Sequence, residues 1–548
     1  MAVVYVNNRP VDIGTDRLNA IQAAQRAGVF VPHYCWHPSL SVVASCRMCL
    51  IEFGEMKDGK ALLQPRVVPG CQTPVKDGSV IVTDSPKAKA AQAGTLESLL
   101  LNHPLDCPVC DKAGECKLQD FSYEYGKSTS RMLDPKNTPP NKPEISSKIT
   151  LFTDRCIMCT RCVRFTREIS GTAELQVTSR GDHSEIDVFP GEPLENKLAG
   201  NVVDLCPVGA LGSKDFLYKQ RVWFLQSTDS VCAGCSTGCS IHIDANKDVV
   251  YRLRPRENPQ AQGHFICDEG RHGYRYVNST ERLHQPTMRS GSESKPVEWR
   301  DLIPALRREL ADRAVNRPSG VTAVLSPFLT CEEAYLLAKY FKMLSCDTRL
   351  AVGPVPLIGA DDHYPKDRMG RCVEPVKFTI RAEKCPNRRG VTEIVKHFQS
   401  QPVSFETLVA DAEKGMIDAI WLAGGYPPEC GDWLTKKDRA AIGKCGLVIL
   451  QDLFADRSGN VAHYMLPATT FAEKNGTYVN HAQLAQCLLR AVRPPHEVRC
   501  EGQIALDFLN RKGLYVAADV RREMALELPY FAPLSDGISE LGKKLGTS

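Results

Sequence analysis

Asp154–Cys162 reads DRCIMCTRC, and a lone Cys206 follows after 43 intervening residues, in DLCPVGAL. Three cysteines separated by two residues each are the start of the run C-x2-C-x2-C-x3-C-P, whose fourth cysteine serves a second iron-sulfur cluster. The fourth position here is Thr166. Read backwards from Cys206-Pro207, the matching run would need cysteines at 202, 199 and 196, where the chain has Val202, Ala199 and Asn196. One ligand set is lost, and the other is complete: Cys156, Cys159, Cys162 and Cys206, suited to one [4Fe-4S] cluster.

Outward from this stretch, the chain is too long, at 548 residues, for a single core. No apolar run reaches the length of a membrane span, and MAVVYVNNRP lacks the basic-then-apolar layout of a signal peptide, so a soluble, cytosolic product is expected. Of the 23 cysteines, the early ones come in C-x2-C groups, which favours metal over a disulfide framework. The formal charge of +4 counts thiols as neutral. No basic stripe argues for nucleic acid.

Residues 1–80 open with strands at Val3–Val6 and Val11–Ile13 joined by Asn7-Asn8, then a helix expected to be capped by Thr15 and stopped by Gly28. Leu18, Ile21, Ala24 and Ala27 share one face of that helix. Cys35, Cys46, Cys49 and Cys71 follow, a loop pattern suited to a [2Fe-2S] centre, with a four-cysteine zinc site as the alternative. His33 and His37 flank Cys35, but four cysteines already complete the set. Gly54–Ala61, GEMKDGKA, nearly spells a phosphate-binding loop; it lacks the final Ser or Thr and reads as a hairpin tip.

Residues 81–140 begin as a helix and carry His103, Cys107, Cys110 and Cys116. Three cysteines leave a [4Fe-4S] cluster one ligand short, and an imidazole four residues upstream can supply it. The Pro-rich stretch DPKNTPPNKPE reads as a linker. Residues 141–218 contain the reduced two-cluster pattern. Residues 219–275 hold Cys232, Cys235, Cys239 and Cys267, a further [4Fe-4S] set with zinc again as the alternative, its last two cysteines separated by two strands, SIHIDA and VVYRLRP.

From residue 276 to 548 the cysteine groups stop. An amphipathic helix (VEWRDLIPALRRELADRA), a strand (VTAVLS), a helix opened by a Thr330–Glu333 capping box, and further strands at DAIWLAGG and GLVILQD around a helix at Thr435–Ile442 predict a parallel α/β domain. The eight later cysteines (331, 346, 372, 385, 430, 445, 487, 500) show no ligand spacing and read as free thiols.

The order of these sets resembles the large iron-sulfur subunit of respiratory NADH:quinone oxidoreductase, complex I, the bacterial G or mitochondrial 75-kDa subunit. HYCWHPSLSVVASCRMCLIEF, HPLDCPVCDKAGECKLQD and NVVDLCPVGAL carry the resemblance. FICDEGRHGY and LPATTFAEKNGTYVN resemble the molybdopterin oxidoreductases. The implied fold is multidomain α/β and α+β: a ferredoxin-like [2Fe-2S] β-grasp domain, a helical domain with a histidine- and cysteine-held cluster, a reduced bacterial-ferredoxin-like domain, and a molybdopterin-oxidoreductase-like α/β domain without metal.

The resemblance further implies that Cys35, Cys46, Cys49 and Cys71 hold the cluster called N1b, that His103 with Cys107, Cys110 and Cys116 holds N5, and that Cys156, Cys159, Cys162 and Cys206 hold N4. Cys232, Cys235, Cys239 and Cys267 match N7, kept by some bacterial members. It implies one [2Fe-2S] and three [4Fe-4S] clusters, no molybdenum and no NADH or quinone site in this chain. The expected partners are a flavin-containing NADH-oxidising subunit and quinone-linked iron-sulfur subunits, at the cytoplasmic side of a bacterial inner membrane, with membrane contact only through the complex. The span between Cys49 and Cys71 is longer than usual in that family, and the C-terminal domain is short. The competing readings are a molybdopterin-dependent enzyme of the formate dehydrogenase kind, the electron-transfer subunit of an NAD-linked hydrogenase, and a zinc-holding scaffold.

Overall fold

The computed structural model describes residues 2–291, 293–455, 461–495 and 497–546. They fall into two compact units, one comprising the residues up to 224 together with 364–376, the other 225–363 and 377 onward.

The first unit begins with a six-stranded sheet. Ala2–Val6 pairs antiparallel with Arg9–Gly14 across Asn7-Asn8, both left-handed (φ 46° and 65°), a conformation asparagine tolerates. Ala2–Val6 also pairs in parallel with Ser79–Val82, which in turn runs antiparallel to Leu50–Lys57. The helix Ala20–Arg26 buries Ile21 and Ala24 against this sheet. Its cap is Asn19, not Thr15: Asn19 accepts from the Gln22 N–H and the Gln22 side chain answers in a capping box, so Leu18 precedes the helix. The amide of Asn19 also donates to the Cys71 carbonyl at 3.1 Å, tying the helix start to the cysteine-bearing segment. Gly54–Ala61 is a hairpin, turning at Asp58-Gly59 between Leu50–Lys57 and Lys60–Leu63.

The rest of this unit is largely irregular chain with short elements. Pro86–Leu100 and Lys117–Tyr125 are helices on either side of the Cys107–Cys116 loop. Arg161–Glu168 and Asn201–Leu205 are helices that each adjoin a cysteine of the third set. Where the second ligand set is missing, Ala199 and Val202 are fully buried, and the Asn196 amide donates to Glu174 at 2.5 Å.

The second unit has a three-stranded antiparallel sheet, Gln226–Val231, Ser240–Asn246 and Val249–Pro255, and a larger seven-stranded one. Five strands of the latter are parallel, in the spatial order Tyr464–Pro467, Leu447–Asp452, Ala419–Ala423, Val321–Leu325, Arg349–Val352. Both faces are covered, because alternate residues of one strand enter different cores: Val321, Ala323 and Leu325 on one side, Val324 with Ile420 and Leu422 on the other. The Cys331–Leu344 helix opens with the expected Thr330–Glu333 capping box.

In such an open sheet a ligand crevice forms where strand order reverses, here between Val321–Leu325 and Ala419–Ala423. The chain leaving these strands fills that position with aromatic rings. Tyr426 is buried, stacks on Trp433 at 4.6 Å and meets Phe328 edge-on at 5.0 Å.

Lys474, from the LPATTFAEKNGTYVN segment, is buried between Glu333 at 3.0 Å and Glu501 at 3.5 Å. Burial pushes the Glu333 carboxyl up to about 7, so its charge depends on the ammonium beside it. Removing one member of a buried charged group typically costs about 3–5 kcal/mol. Lys474→Met is therefore expected to destabilise the folded chain by roughly that amount in urea denaturation, and a loss below about 1 kcal/mol would show the network to be dispensable.

Candidate iron-sulfur sites

The four candidate ligand sets differ in how closely their residues converge and in how their surroundings suit thiolate-bound iron. In the first set all four cysteines are buried, and the Cys35 N–H lies 3.4 Å from the Cys46 sulfur. The thiols hydrogen-bond among themselves: Cys46 and Cys71 hold Cys35 down, and Cys71 holds Cys49 down, while the same bonds and burial push Cys46 and Cys71 up. Ala44 and Arg47 take left-handed φ values of 51° and 59° to wrap the loop. The two histidines are engaged locally: His33 Nδ1 donates to the Val31 carbonyl at 2.7 Å, and His37 Nδ1 accepts from the Ser39 N–H at 3.2 Å.

In the second set Cys110 and Cys116 are buried and Cys107 is exposed. Burial pushes the Cys116 thiol up to about 11. Burial, reinforced by Lys136 and Arg155, lowers His103 to about 4, so its imidazole is neutral at pH 7. Its Nδ1 is buried with no hydrogen-bond partner. A neutral ring with an orphaned nitrogen is what a metal-ligating histidine offers. Arg155 neighbours both His103 and Cys110, and pairs with Asp106 at 2.9 Å.

In the third set Cys159, Cys162 and Cys206 are buried and Cys156 is half-buried. Cys156, Cys159, Cys162 and Cys206 line one small cavity with Leu151, Ile157, Val208 and Leu211. Burial pushes Cys156 up to about 12 and Cys159 to about 11. Met158 and Thr160 have left-handed φ values of 51° and 56°, and the Met158 N–H points at the Cys156 sulfur, 3.4 Å away. Thr166, at the lost ligand position, bonds back to the Val163 carbonyl at 3.1 Å.

The fourth set lies in the second unit. Cys232, Cys235, Cys239 and Cys267 line a cavity with Ile266 and Phe378. N–H groups of Gly234 and Gly270 approach the Cys232 and Cys267 sulfurs at 3.4 and 3.3 Å. A Cβ added at Gly270 would stand 3.0 Å from the Cys232 sulfur. The LPATTFAEKNGTYVN segment supports this loop, with Asn480 donating to the Thr237 carbonyl at 2.9 Å. Among the described residues no group of three or more His, Cys, Asp or Glu side chains is arranged to hold a single metal ion. Cysteines spaced round a cavity, N–H groups directed at sulfur, and an orphaned imidazole nitrogen fit iron-sulfur clusters.

The first three sets adjoin one another. Tyr34, beside Cys35, packs on Phe121 of the helix that follows Cys116, with 5.2 Å between ring centres. Lys117 donates its N–H to the Pro207 carbonyl at 3.1 Å, joining the second set to the third. There Gly209 allows close approach, since a Cβ would fall 2.2 Å from the Cys110 sulfur. Guanidiniums of Arg161 and Arg164 reach carbonyls of the Cys35 loop. These junctions are invisible in the cysteine spacing, because each joins segments far apart in sequence.

Family models match almost every part of this layout: a 2Fe-2S iron-sulfur cluster binding domain over 4–86, the NADH-ubiquinone oxidoreductase-G iron-sulfur binding region over 92–131, and the ferredoxin-like domain of NADH-quinone oxidoreductase subunit 3 over 146–212. The molybdopterin oxidoreductase Fe4S4 domain follows over 225–279 and the molybdopterin oxidoreductase domain over 392–511. The G subunit of the NADH-quinone oxidoreductase of Rickettsia bellii is 36% identical over 351 residues, 63% of this chain and 49% of that one. The chain is a homologue of the NADH-quinone oxidoreductase G subunit. The mitochondrial form is similar too: the NADH-ubiquinone oxidoreductase 75 kDa subunit of Reclinomonas americana is 32% identical, over 67% of this chain and 52% of that one. The second of the G subunits of Rhizobium meliloti matches 81% of this chain, and 52% of its own length, at 31% identity. The chain spans about half the length of these curated relatives. Among solved structures, an NAD+-reducing [NiFe]-hydrogenase chain aligns with 40% of this chain and 91% of its own at 25% identity, with a TM-score of 0.34.

Burial holds Cys156, Cys159 and Cys162 of the third set, and Cys232, Cys239 and Cys267 of the fourth, protonated at neutral pH. Loading with iron and sulfide is therefore expected to release protons, on the order of one per ligating cysteine. Indicator-dye titration in weak buffer checks this; loading without proton release would contradict the buried-thiol picture. Gly209→Ala is expected to abolish one [4Fe-4S] signal while sparing the [2Fe-2S] signal in low-temperature EPR, and an unaltered spectrum would refute the close approach at Cys110.

Proposed function

We propose that this chain is the electron-carrying iron-sulfur subunit in the peripheral arm of a proton-translocating NADH:quinone oxidoreductase. The observation that carries the proposal is the adjacency of three ligand sets within one unit, with the first and third closed off from bulk water. His103 with Cys107, Cys110 and Cys116, and the cysteine sets headed by Cys35, Cys156 and Cys232, would hold one [2Fe-2S] and three [4Fe-4S] clusters. Such clusters, when bound, accept and return single electrons with potentials set by burial, charge and hydrogen bonds.

The chain's own residues create those conditions. Leu151, Ile157, Val208 and Leu211 exclude water at the third set. Tyr34, Phe121 and Gly209 hold neighbouring sets close. The partners would be a flavin-bearing NADH-oxidising subunit and quinone-linked iron-sulfur subunits, on the cytoplasmic side of a bacterial inner membrane. No helix among the described residues is long and apolar enough to cross a membrane. The aromatic filling around Tyr426 supports a molybdopterin-type domain that works without molybdenum.

Anaerobically prepared protein should be brown and carry about 14 iron atoms with matching acid-labile sulfide, the content of one [2Fe-2S] and three [4Fe-4S] clusters. Stoichiometric zinc, molybdenum or tungsten would overturn the proposal. In the dithionite-reduced protein, His103→Ala should disturb one [4Fe-4S] EPR signal and leave the rest; if all signals survive unchanged, His103 is not a ligand.

A further inference from the structure

The helix Arg161–Glu168 begins between two cysteines of the third set, and three of its four charged side chains, Arg161, Arg164 and Glu168, stand at i, i+3 and i+7. All three are spent on the Cys35-bearing loop, more than a hundred residues earlier. Arg161 donates through Nη2 to the Trp36 carbonyl and through Nη1 to the Leu205 carbonyl at 3.3 Å. Glu168 accepts from the Ser41 N–H at 2.8 Å and from the Ser41 hydroxyl. Arg164 donates through Nη1 to the Ser41 carbonyl, and its Nη2 is shared between the Cys35 carbonyl at 2.5 Å and the Cys159 carbonyl at 3.2 Å. One nitrogen thus joins the backbone of a first-set ligand to that of a third-set ligand.

Both guanidiniums are sealed off, with only 5% of Arg161 and 7% of Arg164 exposed. Their hydrogen-bond partners are neutral carbonyls, and the Nε of each is buried without a partner. A desolvated cation bonded only to neutral groups is costly unless negative charge lies close by. The thiolates of loaded first and third sets are such charge. The arrangement makes sense as a pair of cations placed between two anionic groups, favouring whichever electron count is more negative.

We propose that Arg164, assisted by Arg161, is a positioning residue for two clusters at once: it locks the Cys35 loop onto the Cys159 loop and supplies positive charge that raises both reduction potentials. This rests on the reading that these two sets hold a [2Fe-2S] and a [4Fe-4S] cluster. A purely structural clamp would leave the potentials where they are.

The test is an EPR-monitored redox titration of the intact, cluster-loaded chain with Arg164→Gln and Arg164→Lys. Gln should lower the reduction equilibrium constant of the [2Fe-2S] centre and of one [4Fe-4S] centre by about tenfold each, about 59 mV for a one-electron couple, with the other signals unmoved. Lys, which keeps the charge, should hold both potentials nearer the parent. Intact signals with unshifted potentials, or a shift in only one centre, would overturn the proposal. Should Arg164→Gln fail to hold the clusters, Arg161→Gln decides: a smaller shift of the same sign in the same two centres supports the pair, and none refutes it. Absence of both signals from the unsubstituted chain would instead refute the cluster assignment.

Discussion

A thiol shut away from water resists giving up its proton, and the third cysteine set is built almost wholly from such thiols. Cys156 and Cys159 are pushed up to about 12 and 11, with burial as the largest cause. A site like this is poor as a collection of free cysteines and good as a thiolate cage once iron supplies the countercharge. Much of the first unit follows from that constraint. Apolar side chains close the cavity, left-handed residues fold N–H groups inward, and two arginines are buried where anions would form. Left-handed Met158 and Thr160 cost of the order of 1–2 kcal/mol each in a free chain. Strain of this kind gathers where a site over-determines the backbone.

The cysteine groups stand out in the sequence because covalent spacing is most of their geometry. C-x2-C within a tight loop brings two sulfurs to one side whatever the rest of the chain does. His103 is proposed by arithmetic as a missing fourth ligand, and its orphaned Nδ1 is compatible with that proposal. The parallel α/β half was legible from alternating apolar strands and the Thr330–Glu333 box. The hairpin at Asp58-Gly59 was separable from a phosphate loop by its missing hydroxyl.

What could not be read lies in contacts between distant segments. Nothing near Gly209 announces that a sulfur more than ninety residues earlier forbids it a side chain. Arg161 and Arg164 look like ordinary helix charges until the Cys35 loop is laid beside them. The first helix was misplaced for a related reason. Thr15 has the right side chain for a cap, but Asn19 has the right position, because its amide also ties down the Cys71 segment.

The first and third sets meet through Arg164, whose Nη2 bonds to both the Cys35 and the Cys159 carbonyls. Pulsed EPR of the reduced, cluster-loaded chain tests this contact most directly, because a nearby fast-relaxing spin shortens the relaxation time of the [2Fe-2S] centre. Emptying the third set with Cys159→Ser should slow [2Fe-2S] relaxation while leaving that centre in place. A [2Fe-2S] relaxation time indifferent to the third set would contradict it.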